Sequence, residues 1–174
     1  GWLIIDKPVG LSSSRMVNRV KKILNAKKAG HGGTLDPLAT GLLPIALGEA
    51  TKTVSYVMDG LKSYRFSIKW GEATATDDEE GAIINFSRRR PSPSEINLKL
   101  DQFIGQINQV PPIFSALKVR GQRSYELARQ GKPEKLKKRA VLVKSFTLLK
   151  TISEDVSQFE VISGKGTYVR SLAR

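Results

Sequence analysis

The stretch Gly30 to Gly48, GHGGTLDPLATGLLPIALG, constrains this chain more than any other. Three glycines surround the chain's single histidine, one carboxylate stands directly before a proline, and an apolar run follows. Gly30, Gly32 and Gly33 are expected to give the backbone positive φ, or to let it approach a ligand closely, because no Cβ intervenes. Pro37 biases Asp36 toward an extended conformation. The run LLPIAL reads as a buried strand. A rigid loop holding one carboxylate at a fixed angle suits a catalytic position. It equally describes an ordinary Asp-Pro turn, and the residues alone leave the two open.

Charge narrows the partner. The 174 residues carry 29 Lys plus Arg against 16 Asp plus Glu, a formal charge of +13. A polyanion is the default partner for such an excess: RNA, DNA or an anionic membrane surface. Membrane insertion is not expected, because WLII and LLPIAL are far shorter than a spanning helix requires. No cysteine is present, which excludes disulfides and thiolate metal sites, and one histidine excludes a histidine-rich metal site. The cytoplasm is the compatible compartment.

Along the chain, Trp2 to Ile5 reads as a buried strand ended by a turn at Asp6-Lys7-Pro8-Val9-Gly10. Val17, Val20, Ile23 and Leu24 recur at helical spacing behind a serine cap, with a stop at Asn25 or Gly30. Lys27 and Lys28 follow; they either complement the helix dipole or meet phosphate. Glu49 to Asp59 reads as a short helix. Lys62 to Trp70 alternates, with Tyr64, Phe66, Ile68 and Trp70 on one face, as a half-buried strand does. Thr74 to Gly81 is an acidic loop without the spacing of a calcium loop, and reads as solvated. Ser87 to Ser94, SRRRPSPS, reads as a linker and the best internal boundary, its three arginines as a solvated run, with an RNA contact as the lesser alternative. A capped helix follows from Glu95. Gln109 to Gly131 reads as proline loop, strand, turn at Gly121 and short helix. Val141 to Ile152 and Val156 to Ile162 read as consecutive strands, and Tyr168 to Arg174 as the first turns of a helix. This interspersion predicts an α+β fold on a mixed, largely antiparallel sheet flanked by helices and loops.

The motif GHGGTLDPLATGLLPIALGEATK resembles the signature of the TruB family of tRNA pseudouridine synthases. WLIIDKPVGLSS, KSYRF, QVPPIFSALKVRGQRSYELARQG and SGKGTYVR extend the resemblance, in order, over essentially the whole chain. It implies the pseudouridine synthase fold over residues 1–174, with an RNA-gripping insertion at about 109–139. The family pattern continues past Arg174 with a pocket-lining segment and a small RNA-binding domain of PUA type, neither of which these residues contain.

The same resemblance implies the chemistry. The activity would be isomerisation of the T-loop uridine (U55) of tRNA to pseudouridine, with base flipping, without guide RNA, membrane or cofactor, by a monomer. The target base must leave its stack and be restacked on protein. The resemblance assigns Asp36 as nucleophile, Arg170 of the GTYVR motif as the cation that keeps a carboxylate ionised, and Tyr64 as the aromatic that holds the base. Tyr168 matches a second, pocket-lining aromatic. His31 matches the histidine that enters the T-loop as the base leaves, although a lone histidine is by composition a satisfied structural residue. Lys52 falls near bound RNA. Lys7 belongs with the substrate-binding set, in a Lys-Pro motif that mainly supports the catalytic loop. Other readings are a guide-dependent synthase acting on ribosomal RNA, a non-catalytic RNA-binding domain, and a glycosidase-like enzyme, for which no second carboxylate stands out at a comparable loop.

Overall fold

The computed structural model describes all residues, Gly1–Arg174. The chain divides into two compact units, Gly1–Gly60 and Leu61–Arg174. The Ser87–Ser94 segment is not the point of division: it lies inside the second unit, where Arg90 pairs with Asp155 and Ser92 caps a helix.

In the first unit, β1 (Trp2–Lys7), β2 (Ala29–His31) and β3 (Gly41–Leu47) form an antiparallel sheet in the order β1-β3-β2. Helix α1 (Ser13–Ile23) lies on one face of that sheet, and α2 (Val54–Asp59) follows a 3₁₀ turn at Gly48–Thr53. Helix α1 starts where Ser12 accepts a hydrogen bond from the Arg15 N–H, and it ends ahead of Asn25, which takes φ 46°. Asparagine tolerates that left-handed conformation better than most residues. Val17 and Val20 bury one stripe of α1 against Leu43 and Ile45 of β3, with Leu3 and Ile5 of β1 alongside. Each strand has two faces, so the expected burial of β1 and β3 is only half met. Leu3 and Ile5 point inward, whereas Trp2, Ile4 and Leu42 are exposed.

The second unit is built on a four-stranded antiparallel sheet in the order β4-β11-β10-β7, from β4 (Lys62–Lys69), β7 (Gly105–Gln109), β10 (Arg139–Ser153) and β11 (Val156–Ser163). Two small hairpins join it: β5 (Glu72–Thr74) with β6 (Ile83–Phe86), and β8 (Lys118–Val119) with β9 (Gln122–Arg123). Its helices are α3 (Pro93–Leu100), α4 (Ser124–Arg129) and α5 (Val169–Ala173). Ile96 and Leu100 of α3 and Leu172 of α5 bury against Val143, Phe146, Phe159 and Val161. The Phe146 and Phe159 rings lie 5.6 Å apart, with Phe66 5.8 Å from each. Helix α3 begins in a reciprocal cap: Ser92 and Glu95 bond each other's main chain. The Ser92 N–H, helped by the Arg89 guanidinium, holds the Glu95 carboxyl down to about 2. The α+β class read from the sequence is the class observed, with every strand pairing antiparallel.

Candidate active site

In the first unit, the loop from Gly32 to Thr40 joins β2 to β3 and carries Asp36. Main-chain anchors hold it at four points. The Gly32 N–H donates to Pro44 O at 2.8 Å, and the Gly10 N–H to Pro37 O at 2.8 Å. The buried Ser13 hydroxyl donates to Leu35 O at 3.0 Å and accepts from Leu35 N at 2.9 Å. The Ala39 N–H donates to Asp36 O at 3.0 Å, closing the turn through Pro37. Asp36 thus stands in a fixed frame built by Ser13 and the Lys7-to-Gly10 turn.

Lys7 is the keystone of that frame. It is 0% exposed, and its ammonium donates to Pro8 O and Leu11 O, both at 2.8 Å, and to Pro37 O at 3.3 Å. Burial pushes it below the ordinary lysine range, while the charge of Asp36 pulls it back up. The Lys7 ammonium is directed at carbonyls inside the unit, which suits the supporting part of the Lys-Pro motif. It fastens the turn before α1 to the loop behind Asp36.

Positive φ, one of the two parts expected of the three glycines, is not the one they play. None of Gly30, Gly32 and Gly33 takes positive φ. A Cβ on Gly32 would stand 2.7 Å from Val57 Cγ1 and 3.3 Å from Val57 Cβ, so this glycine lets α2 close on the loop. A Cβ on Gly30 or Gly33 would meet nothing within 4 Å. Because valine is stiff at χ1, Gly32→Ala is expected to cost about 1–3 kcal/mol through overpacking. Gly33→Ala is expected to be neutral or up to about 1 kcal/mol stabilising. Thermal denaturation of the two variants checks the contrast.

His31 ends β2, its main chain paired with Ile45. Its Nδ1 is buried and has no hydrogen-bond partner, so it is not the satisfied structural histidine that composition favoured. Lys52 sits on the 3₁₀ turn with its ammonium 2.5 Å from Glu49, both side chains largely exposed. Such a surface pair contributes little to stability.

In the second unit, Tyr64 lies on the inward face of β4 opposite Val161, half-buried against the core. The buried Gln109 amide holds the main chain of Tyr168, accepting from its N–H at 2.8 Å and donating to its C=O at 3.0 Å. Arg170, on α5, donates to Thr76 O at 2.9 Å and Phe114 O at 3.0 Å, and its Nη1 lies 3.5 Å from Asp78 Oδ2. Arg174 donates to Asp77 Oδ2 at 2.9 Å. The acidic loop is therefore not simply solvated. Two of its carboxylates pair with Arg170 of α5 and with Arg174 just after it, and burial raises Asp77 above the usual carboxylate range despite those cations. Within this unit Tyr64 and Val169, which sits between Tyr168 and Arg170, pack against the same core cluster. Asp78 and Gln109 were not singled out from sequence; an acidic loop in a basic chain and a glutamine ahead of two prolines were the only signals.

This fold is that of the pseudouridine synthases. The chain aligns over 99% of its length with a chain in the crystal structure of a Cbf5-Nop10-Gar1 complex, with TM-score 0.71 and 31% identity, covering 42% of that chain. The chain belongs to the TruB family: residues 21–169 match the family model described as TruB family pseudouridylate synthase, N-terminal domain. Over all 174 residues it is 58% identical to tRNA pseudouridine synthase B of Rhodospirillum rubrum and 56% identical to that of Bartonella quintana. It spans 56% and 64%, respectively, of the lengths of these relatives.

Proposed function

We propose that this chain carries the catalytic carboxylate of a tRNA pseudouridine synthase that isomerises the T-loop uridine U55 without a guide RNA. The observation that carries the reading is the family match across residues 21–169, which contains the anchored Asp36 loop. Asp36 is the nucleophile, Tyr64 holds the flipped base, and Arg170 supplies the cation such a carboxylate requires. Tyr168 lines the pocket, His31 supports base flipping, and Lys52 meets the RNA. Isomerisation consumes neither a redox equivalent nor an energy source, so its stoichiometry requires no cofactor. Identities of 53–58% to eight bacterial relatives named tRNA pseudouridine synthase B support the guide-independent form over the guide-dependent one. The intact protein is expected to act in the cytoplasm as a monomer.

The test is on the substrate. Transcript tRNA labelled at uridine C5 is incubated with the purified protein and no other RNA. Label is expected to leave the T-loop uridine, and replacing that one nucleotide by cytidine should remove the signal. Release only when a guide RNA is added, or release independent of the T-loop position, overturns the reading.

A further inference from the structure

The helix that begins against the Asp36 loop carries an unbroken cationic face whose charge no carboxylate neutralises. Arg15, Arg19 and Lys22 are all exposed. At about 100° per residue they fall within roughly 60° of arc on the side of α1 opposite the buried Val17 and Val20. Lys27 and Lys28 continue the series, both exposed, where the chain turns at Asn25 back toward β2 and His31. Between Arg15 and Lys28 there are six cations and no acidic residue. None of the six lies within ion-pair distance of a carboxylate, unlike Arg65, Lys69, Arg89, Arg90 and Arg174 in the second unit.

A solvent-facing helix gains from mixing signs, from acidic residues in its first turn, and from opposite charges at i,i+4. Helix α1 does the reverse. Its first turn has no acidic residue, Arg15 and Arg19 are like charges at i,i+4, and Arg19 and Lys22 are like charges at i,i+3. Lys21 and Lys22 complement the dipole in the last turn, but the like-charge pairs at Arg15, Arg19 and Lys22 repel in the free protein, and a bound polyanion relieves that repulsion.

Geometry says which part of a polyanion. The N-terminus of α1 is tied to the loop through the Ser13 hydroxyl on Leu35, the residue before Asp36. With a rise of 1.5 Å per residue, Arg15, Arg19 and Lys22 stand roughly 3, 9 and 13 Å along the axis from Ser13. The cations form a line that starts beside the carboxylate and leads away from it.

We propose that Arg15, Arg19 and Lys22, continued by Lys27 and Lys28, are a phosphate-binding rail for the RNA backbone flanking the flipped uridine. This rests on the reading of the chain as a uridine-modifying enzyme; the rail itself is an RNA-backbone site on the first unit. It recognises phosphates and not base edges, so it contributes affinity and register, not sequence selectivity.

The experiment compares two variants of the intact protein, each losing three positive charges. One is Arg15→Gln/Arg19→Gln/Lys22→Gln. The other is Lys99→Gln/Lys144→Gln/Lys150→Gln, drawn from exposed lysines of the second unit. Filter binding to a tRNA transcript is followed from low to moderate salt. The rail variant is expected to bind at least about tenfold more weakly near 0.1 M salt, and to lose roughly 2–3 from the slope of log K against log salt, at about 0.7–0.9 per phosphate contact. The second variant is expected to change little. Equal weakening in both means net charge alone is at work, and unchanged affinity in the rail variant means the face is only solvated; either overturns the rail. Circular dichroism and a thermal melt confirm that α1 is intact. Label release from uridine C5 by the unsubstituted protein is a separate readout: its absence would remove the enzyme reading while leaving the binding comparison interpretable.

Discussion

Asp36→Asn is expected to reduce release of C5 label from the T-loop uridine by at least roughly a thousandfold, the scale seen when a nucleophile is removed from an otherwise intact site. The substitution is isosteric, and four main-chain anchors that do not use the side chain at position 36 hold the loop. Its anchors are the main-chain groups of Gly32, Leu35, Asp36 and Pro37, received by Pro44, Ser13, Ala39 and Gly10. All of them persist with asparagine. The affinity for tRNA should therefore stay within about threefold, since phosphates and stacked bases supply the binding. Single-turnover label release and filter binding, measured on the same preparation, separate the two effects. Retained turnover, or loss confined to affinity, would sink the assignment of Asp36 as nucleophile. A purely electrostatic part for Asp36 predicts a graded loss that glutamate at this position partly restores. A nucleophile predicts no rescue by glutamate, whose carboxylate is displaced by one methylene.

The parts of this molecule legible in its sequence are those whose signal is local. The alternation of Tyr64, Phe66 and Ile68 announced β4, because a half-buried strand repeats every two residues. Ser12, Asn25, Gly121 and Gly131 marked their caps and turns, because each answers a need of its own backbone. What escaped depends on partners far along the chain. β2 is only three residues long and exists because Ala29, Gly30 and His31 find Leu47, Ala46 and Ile45 across the sheet. Among glycines it reads as loop. Asp78 looked solvated because Arg170 lies 92 positions away, and the Gln109 amide meets Tyr168 across 59. The glycine motif was legible as a constraint, but positive φ or approach to a ligand was expected at Gly32, whereas the Val57 side chain imposes the requirement there. Lys7 is the extreme case. A lysine before a proline at the end of a strand has every sign of a surface turn, and only the folded chain encloses it.

That enclosure makes Lys7 the second site where a single change should matter most. In Lys7→Met the side-chain volume is nearly kept, so the effect is electrical and not one of cavity. Three carbonyls, of Pro8, Leu11 and Pro37, lose a charged donor at partly buried bonds. Charge-assisted hydrogen bonds contribute about 1.5–3 kcal/mol each, and orphaned buried acceptors cost in the same range. Against this stands the desolvation of the ammonium, which methionine relieves and which the lowered pKa of Lys7 registers. The net is expected to be destabilising by about 3 kcal/mol, a fall in melting temperature of roughly 6–12 °C for a chain of this size. Activity should fall further than stability explains, because Pro37 is the residue next to Asp36 and its carbonyl is one of the three. Below the melting transition kcat is expected to drop at least about tenfold while KM for tRNA changes little, the split that marks positioning as distinct from binding. Lys7→Arg should not rescue, since a planar, larger head does not fit a fully enclosed site shaped for an ammonium. If Lys7→Met lowered affinity and left kcat intact, Lys7 would be an RNA ligand after all. If it left both melting temperature and kcat unchanged, the ammonium would not be what holds the Asp36 loop.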